Sequence, residues 1–331
     1  MSPSESPPQV RASSPGWDGR RIMVTGGSGF LGRAVVTRLR AQGAEVSVPR
    51  SAEYDLTAPG AADQAIADHR PKMVVHLAAR VGGIGANLAH PAQLYLDNLL
   101  MGTYVVEAAR HAGIAKLVLV GTICSYPKFT PVPFHESSLW TGYPEETNAP
   151  YGIAKLAMLQ HAMANAAEYG QRSIYLMPTN LYGPGDKFHP SVSHVIPALV
   201  KKCVEAVESG ADKVEVWGTG TATREFLYVD DAAAGLVLAA EHHDDPEPVN
   251  LGADQEMSIR EIAEHIARIT GFTGALVWDP TKPDGQPRRR VDASRAEQAF
   301  GWRAVTPLED GLRATIDWYR DNRAEAEAPP H

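Results

Sequence analysis

Residues 20–50, RRIMVTGGSGFLGRAVVTRLRAQGAEVSVPR, decide how the rest of the chain is read. Residues 22–24 are an apolar triplet that suits a buried strand, and residues 26–32 follow as a glycine-rich turn. Residues 30–42 carry helical periodicity, Gly43 stops them, and residues 44–48 supply a second apolar strand. Strand, glycine turn, helix and strand in this order are the setting of a dinucleotide-binding fingerprint. Gly26, Gly29 and Gly32 remove side chains where the backbone must turn tightly and approach a pyrophosphate. Phe30 and Leu31 open a helix whose free N–H groups and positive dipole end face the phosphates.

The end of the second strand bears on which dinucleotide binds. An acid there suits the ribose diol of NAD, whereas an arginine suits a 2′-phosphate. Here VSVPRSAEYDL has no acid at the tip, Arg50 follows at once, and Glu53 and Asp55 come late. This favours NADP(H).

Strands and helices continue to alternate downstream, which predicts an α/β fold: a Rossmann-type, doubly wound parallel sheet. KMVVHLAA is an apolar strand ending in Ala78 and Ala79, small enough for a cofactor to lie close. KLVLVGT is another, and Thr122 and Cys124 lie just past its end, where ligands of such sheets bind. NAPYGIAKLAM then puts Tyr151 and Lys155 four residues apart on one helical face. A phenol near pKa 10 is a sluggish acid at neutral pH, and a neighbouring ammonium is expected to lower it.

Composition excludes several classes. The chain has 331 residues, 44% hydrophobic and 21% charged, in the range of a globular protein. A net charge of −8 without a basic run argues against nucleic acid. Two distant cysteines, Cys124 and Cys203, suggest neither a disulfide framework nor a metal site. No apolar run is long enough for a membrane span, and the Ser/Pro-rich start lacks the apolar segment of a signal peptide, so the cytoplasm is the expected location.

Together the TGGSGFLG turn, Thr122 and the Tyr151-Gly152-Ile153-Ala154-Lys155 motif resemble the extended short-chain dehydrogenases/reductases. LAARVGGIGAN, CSYPK, PEETNAPYGIAK, MPTNLYGPGDKFHPSVSHVIPAL, WGTGTATREFLYVDD and GQPRRRVD extend the resemblance, from about residue 21 to 320, to their GDP-L-fucose synthase branch. The resemblance implies epimerisation of GDP-4-keto-6-deoxy-D-mannose at C3 and C5, followed by NADPH-dependent reduction at C4. It implies Tyr151 as proton donor to the ketone oxygen, Lys155 as its electrostatic partner, and Thr122 as a hydrogen-bond donor to the same oxygen. Threonine stands where the family usually has serine. Cys124 and His194 match the family's acid–base pair for the epimerisations, with His189 a less favoured competitor. Asn180, Lys202, Trp217, Arg224 and Arg289 match its substrate-binding positions, the cations gripping the nucleotide diphosphate. Ile123 and Cys124 follow Thr122 where the related dehydratases carry two carboxylates, which argues against water elimination.

The expected domains are a dinucleotide-binding unit of residues 20–180 plus about 226–252, and a smaller C-terminal α/β substrate unit of about 181–225 plus 253–321. Residues 1–19 and 322–331 read as disordered tails. The resemblance also implies a homodimer through a four-helix interface built from YLDNLLMGTYVVEAA and YGIAKLAMLQHAMANAAEYG. Three readings stay open: the epimerase–reductase; an epimerase-only or reductase-only enzyme on a related sugar nucleotide, such as a heptose or a secondary-metabolite sugar; and a non-catalytic NADP-binding sensor.

Overall fold

The computed structural model describes residues 16–190, 192–282 and 284–329. Along the first part of the chain run β1 (Arg21–Thr25), α1 (Phe30–Ala41), β2 (Glu45–Ser47), α2 (Ala61–His69), β3 (Met73–His76), α3 (Ile84–Ala89), α4 (Pro91–His111), β4 (Lys116–Val120), α5 (Ala149–Tyr169) and β5 (Ser173–Pro178). The second part adds β6 (Asn180–Tyr182), α6 (Val195–Ser209), β7 (Lys213–Trp217), β8 (Thr223–Tyr228), α7 (Val229–His242) and β9 (Pro248–Leu251). It closes with β10 (Glu256–Ser258), α8 (Ile259–Thr270), β11 (Ala275–Asp279), β12 (Arg288–Arg289), α9 (Ser294–Phe300), α10 (Leu308–Asp321) and α11 (Arg323–Ala326).

Among the described residues the main sheet has six parallel strands in the order β2-β1-β3-β4-β5-β9. Its strands are buried on both faces, so they read as unbroken apolar runs. One face packs on α1 and α7 through Val35, Leu39, Leu236 and Ala240, and the other on α4 and α5 through Val105, Val106 and Leu159. The sequence order reverses at β1, which places the ligand crevice beyond the carboxyl ends of β1 and β3. In the second unit β8 is paired on one side with β10 and on the other with β12, while β6 also pairs with β8. β7 and β11 form a separate parallel pair, and α6, α8 and α10 close a third core around Ile196, Ile262 and Leu312. Ser258 caps α8 in a full capping box with Glu261.

Glu225 fastens the two units. Its side chain is fully buried and accepts from the backbone N–H groups of Ala253 at 2.7 Å, Asp254 at 2.8 Å and Val291 at 2.9 Å. Burial pushes its pKa up to about 7 despite these donors.

The ends of the chain depart from the expected tails. Residues 1–15 lie outside the described residues, but Trp17 is 1% exposed within the core under α1 and donates through Nε1 to Glu241 at 3.2 Å. At the other end α11 packs on the substrate unit: the Ala326 carbonyl accepts from Phe188 N at 2.9 Å, and Arg323 pairs with Glu208. The expected unit boundary also shifts. Ala296, Phe300 and Trp302 return to the core of the main sheet, and Trp302 Nε1 donates to the Asp231 carbonyl at 3.1 Å. The apolar side chains in these segments are too few for a local pattern, but distant partners are enough to bury them.

Trp17→Ala is expected to lower the unfolding free energy by ~3–5 kcal/mol, because it removes a fully buried indole. Removal of residues 1–15 alone should leave stability near wild type. Urea unfolding of both variants checks this, and a small loss for Trp17→Ala would restore the tail boundary at residue 19.

Candidate active site

The glycine turn is built by close backbone approach. Gly26 has φ +70°, and a Cβ on it would sit 2.6 Å from Ala78 N. A Cβ on Gly32 would sit 2.1 Å from the Gly26 carbonyl, so only glycine lets α1 start against the turn. Gly29 caps α1 without a side-chain bond, and no acid stands in the first turn. The N–H groups at Phe30, Leu31 and Gly32 therefore head the helix with its positive end open to an anion. Ala78 and Ala79 flank the turn beyond β3, and the Thr25 hydroxyl bonds His76 Nδ1 at 2.7 Å. Burial holds His76 neutral, with its pKa lowered to about 3, and Lys155 adds to the effect. Arg50 is exposed beyond β2.

The chemistry-bearing residues meet where α5 begins. The Thr122 hydroxyl accepts from Cys124 N at 3.2 Å and caps the short 3-10 turn Ile123–Ser125. This turn lies directly against α5. A Cβ on Gly152 would sit 2.5 Å from the Cys124 carbonyl, and Ser125 Oγ donates to the Gly152 carbonyl at 3.0 Å. The contact sets Tyr151 beside Cys124, and the two interact electrostatically. Gly152 was read from sequence only as part of the motif; its function is to admit this contact.

Lys155 does not lower the Tyr151 pKa as expected from their spacing. Its ammonium is 4% exposed and donates to the Val120 carbonyl at 3.0 Å. Burial lowers the Lys155 pKa to about 8. Burial, reinforced by Cys124, raises the Tyr151 phenol well above its usual value. Tyr151 thus keeps its proton at neutral pH, as a donor must. Tyr175, buried beneath, donates from its hydroxyl to the Lys155 carbonyl at 2.8 Å and braces the helix.

Two expected substrate residues join this cluster. Arg289 is buried, with Nη1 3.6 Å from Cys124 Sγ and Nε donating to Gln286 Oε1 at 2.7 Å. Arg224 lies alongside in register across β8 and β12. Burial lowers the Arg224 pKa to about 10, and the like charge of Arg289 contributes. Arg224 Nη2 donates to the Asp284 carbonyl at 3.1 Å, while the Asp284 carboxylate accepts from Thr219 N and Oγ1 at 2.8 and 2.7 Å. Gln286 and Asp284 carried no signal in the sequence beyond sitting near the arginines.

The other expected residues sit apart. Asn180 donates its amide to the Glu225 carbonyl at 2.8 Å and so fastens β6 to β8. Lys202 donates to the Glu215 carbonyl at 2.9 Å and lies 6.0 Å from the Trp217 ring, which is 60% exposed. His194 precedes α6 without capping it. A Cβ on Gly83, in the loop after β3, would come within 3.4 Å of the neighbouring Ser193 carbonyl, so that loop and the α6 entrance adjoin. Although His194 remains solvent-accessible, desolvation at the helix entrance and the Lys187 charge lower its pKa. Among the described residues no group of His, Cys, Asp and Glu could hold a metal ion.

The model of the NAD dependent epimerase/dehydratase family matches residues 22–252. The chain belongs to this family. Within its reach are GDP-L-fucose synthase 1 of Arabidopsis thaliana, 44% identical over 91% of this chain and 94% of that protein, and GDP-L-fucose synthase of Escherichia coli, 38% identical over 92% and 98%. A solved GDP-L-fucose synthetase of Naegleria fowleri bound to NADP superposes with a TM-score of 0.83 at 28% identity, covering 94% of this chain and 97% of the other.

Lys155 gives a signed test. Its lowered pKa means that the folded chain disfavours the ammonium, so stability should rise as pH climbs from about 8 toward 10.5. Lys155→Met is expected to be more stable than wild type at pH 7, by up to about 3 kcal/mol less the lost Val120 bond, and to lose activity. The gap should close near pH 10.5. Thermal melts across this range check it; a destabilised variant at pH 7 would show that the Val120 bond dominates.

Proposed function

We propose that the chain converts GDP-4-keto-6-deoxy-D-mannose to GDP-L-fucose, epimerising C3 and C5 and reducing C4 with NADPH. The names of the relatives support this reading, and one observation carries it: the Cys124 thiol, the Tyr151 phenol and the guanidinium groups of Arg224 and Arg289 converge on one spot beyond β4. A dehydratase would need carboxylates there, and Thr122 is followed by Ile123 and Cys124.

The uncapped start of α1 and the cradle at Gly26, Gly29 and Gly32 fit the pyrophosphate of NADP(H), Ala78 and Ala79 leave it room, and the exposed Arg50 would meet the 2′-phosphate. When bound, the dinucleotide supplies the hydride for C4. Carbons 3 and 5 flank the ketone, so their hydrogens are acidic, and Cys124 and His194 remove and return protons from opposite faces. Thr122 and Tyr151 hold the ketone oxygen as it becomes an enolate. In the reduction Tyr151, still protonated, gives its proton to that oxygen. The Lys155 ammonium, held by the Val120 carbonyl, would serve the nicotinamide ribose when the dinucleotide is bound. Arg224 and Arg289 grip the diphosphate, with Lys202, Trp217 and Asn180 as further substrate contacts.

We place the enzyme in the cytoplasm as a homodimer through α4 and α5. These helices pack closely where Gly102 faces Met158, and Tyr95 and Leu96 of α4 remain exposed. A monomer by light scattering would remove the dimer. A second reading, reduction of a related GDP-heptose, is favoured by the likeness to a GDP-6-OMe-4-keto-L-xylo-heptose reductase from C.jejuni, TM-score 0.87 at 26% identity.

Incubation with GDP-4-keto-6-deoxymannose and NADPH should yield GDP-L-fucose by NMR. Cys124→Ser should stop or greatly slow solvent exchange at C3 and C5, whereas Tyr151→Phe should depress reduction by about 10²–10⁴-fold and spare part of the exchange. NADPH consumption with no exchange in the wild type would leave a plain reductase. Arg50→Ala should weaken NADPH and leave NADH little changed; equal losses for both would remove the 2′-phosphate contact.

A further inference from the structure

We propose that Arg289, aligned by Gln286, is a positioning residue for Cys124 that aims a guanidinium N–H at its sulfur and supports the thiolate form in which Cys124 takes a proton from carbon. The proposal rests on the epimerase reading above and assigns Arg289 a role besides phosphate binding. A chain of hydrogen bonds carries it. The Lys128 carbonyl accepts from Gln286 Nε2 at 2.7 Å, Gln286 Oε1 accepts from Arg289 Nε at 2.7 Å, and Arg289 Nη1 reaches Cys124 Sγ at 3.6 Å. Gln286 is 9% exposed and Arg289 is 8% exposed, so both are held by packing as well as by these bonds. Among the described residues no carboxylate forms an ion pair with Arg289, and its charged neighbour is Arg224, of the same sign. A buried guanidinium without an anion is costly, and the thiolate is the anion this site can generate for itself. Only a planar fork can bond Gln286 through Nε and point a second N–H at sulfur; a lysine supplies charge without that alignment.

The step balances within these groups. The thiolate takes a proton from a carbon beside the ketone, an S–H bond forms as the C–H bond breaks, and the electron pair moves onto the ketone oxygen. Negative charge leaves the sulfur for the enolate oxygen; His194, protonated by solvent to the imidazolium, gives its proton to the opposite face as the electron pair returns to carbon and the C=O re-forms, and Cys124 releases the captured proton to solvent.

Alkylation by iodoacetamide tests the pairing on the full chain without any substrate. Mass spectrometry separates Cys124 from Cys203, which is fully buried. At pH 7, Arg289→Gln should slow alkylation of Cys124 on the order of tenfold, Arg289→Lys should recover part of the rate, and Gln286→Ala should slow it several-fold. Melting curves show whether each variant folds, and if Arg289→Gln does not, Gln286→Ala decides. Equal rates in all folded variants would overturn the pairing, even if the Michaelis constant for the GDP-sugar rises. Slowed alkylation in a protein that exchanges no C3 or C5 hydrogen would sustain the pairing and overturn the epimerase reading instead.

Discussion

The Glu225 carboxylate is the constraint on which the site depends. Three backbone N–H groups from two remote loops converge on one buried side chain. Bonds to a charged acceptor contribute about 1.5–3 kcal/mol each, set against a desolvation cost of several kcal/mol. The raised pKa shows that the cost of burial outweighs the stabilisation of the charge by these donors. What the carboxylate secures is geometry. Its neighbour Arg224 points to the opposite side of β8, and the segment it anchors at Val291 begins two residues after Arg289. Asn250 holds the same segment from the main sheet, donating to the Asp292 carbonyl at 3.1 Å while accepting from Tyr126 at 2.8 Å. Both arginines are therefore fixed from behind by groups that never reach the crevice.

The site accumulates positive charge that the protein does not neutralise. Lys155 is desolvated with a carbonyl for company, and Arg224 and Arg289 sit side by side. Each arrangement lowers a pKa, and for Arg224 the nearby Asp284 charge offsets burial and the like charge of Arg289 only in part. Such uncompensated burial is unfavourable in the free protein and favours an anionic ligand, since binding removes the repulsion. Tyr151 is the counterpart: burial discourages its ionised form, so the phenol keeps its proton.

Much of this was legible in the sequence. The glycine turn specifies itself through the positive φ of Gly26 and the contact of Gly32 with the Gly26 carbonyl, both local demands that only glycine meets. The Tyr151–Lys155 spacing is local too, since both residues lie on one helix. The missed features are all long-range. Trp17 finds Glu241 across the fold, Trp302 finds Asp231, and Gln286 links Lys128 to Arg289. Nothing in the neighbourhood of these residues marks their partners. The helical spacing also suggested that Lys155 acts on Tyr151, but the orientation of the ammonium toward Val120 belongs to the strand beneath, not to the helix.

The return of α9 and Trp302 to the main sheet ties the two units together more tightly than a single linker would. The chain passes between them near residues 180, 229, 252, 292 and 304, so the units are laced together. A jaw-like opening would have to bend every lace at once. A single cut among the described residues would therefore leave each unit without a segment that completes its core.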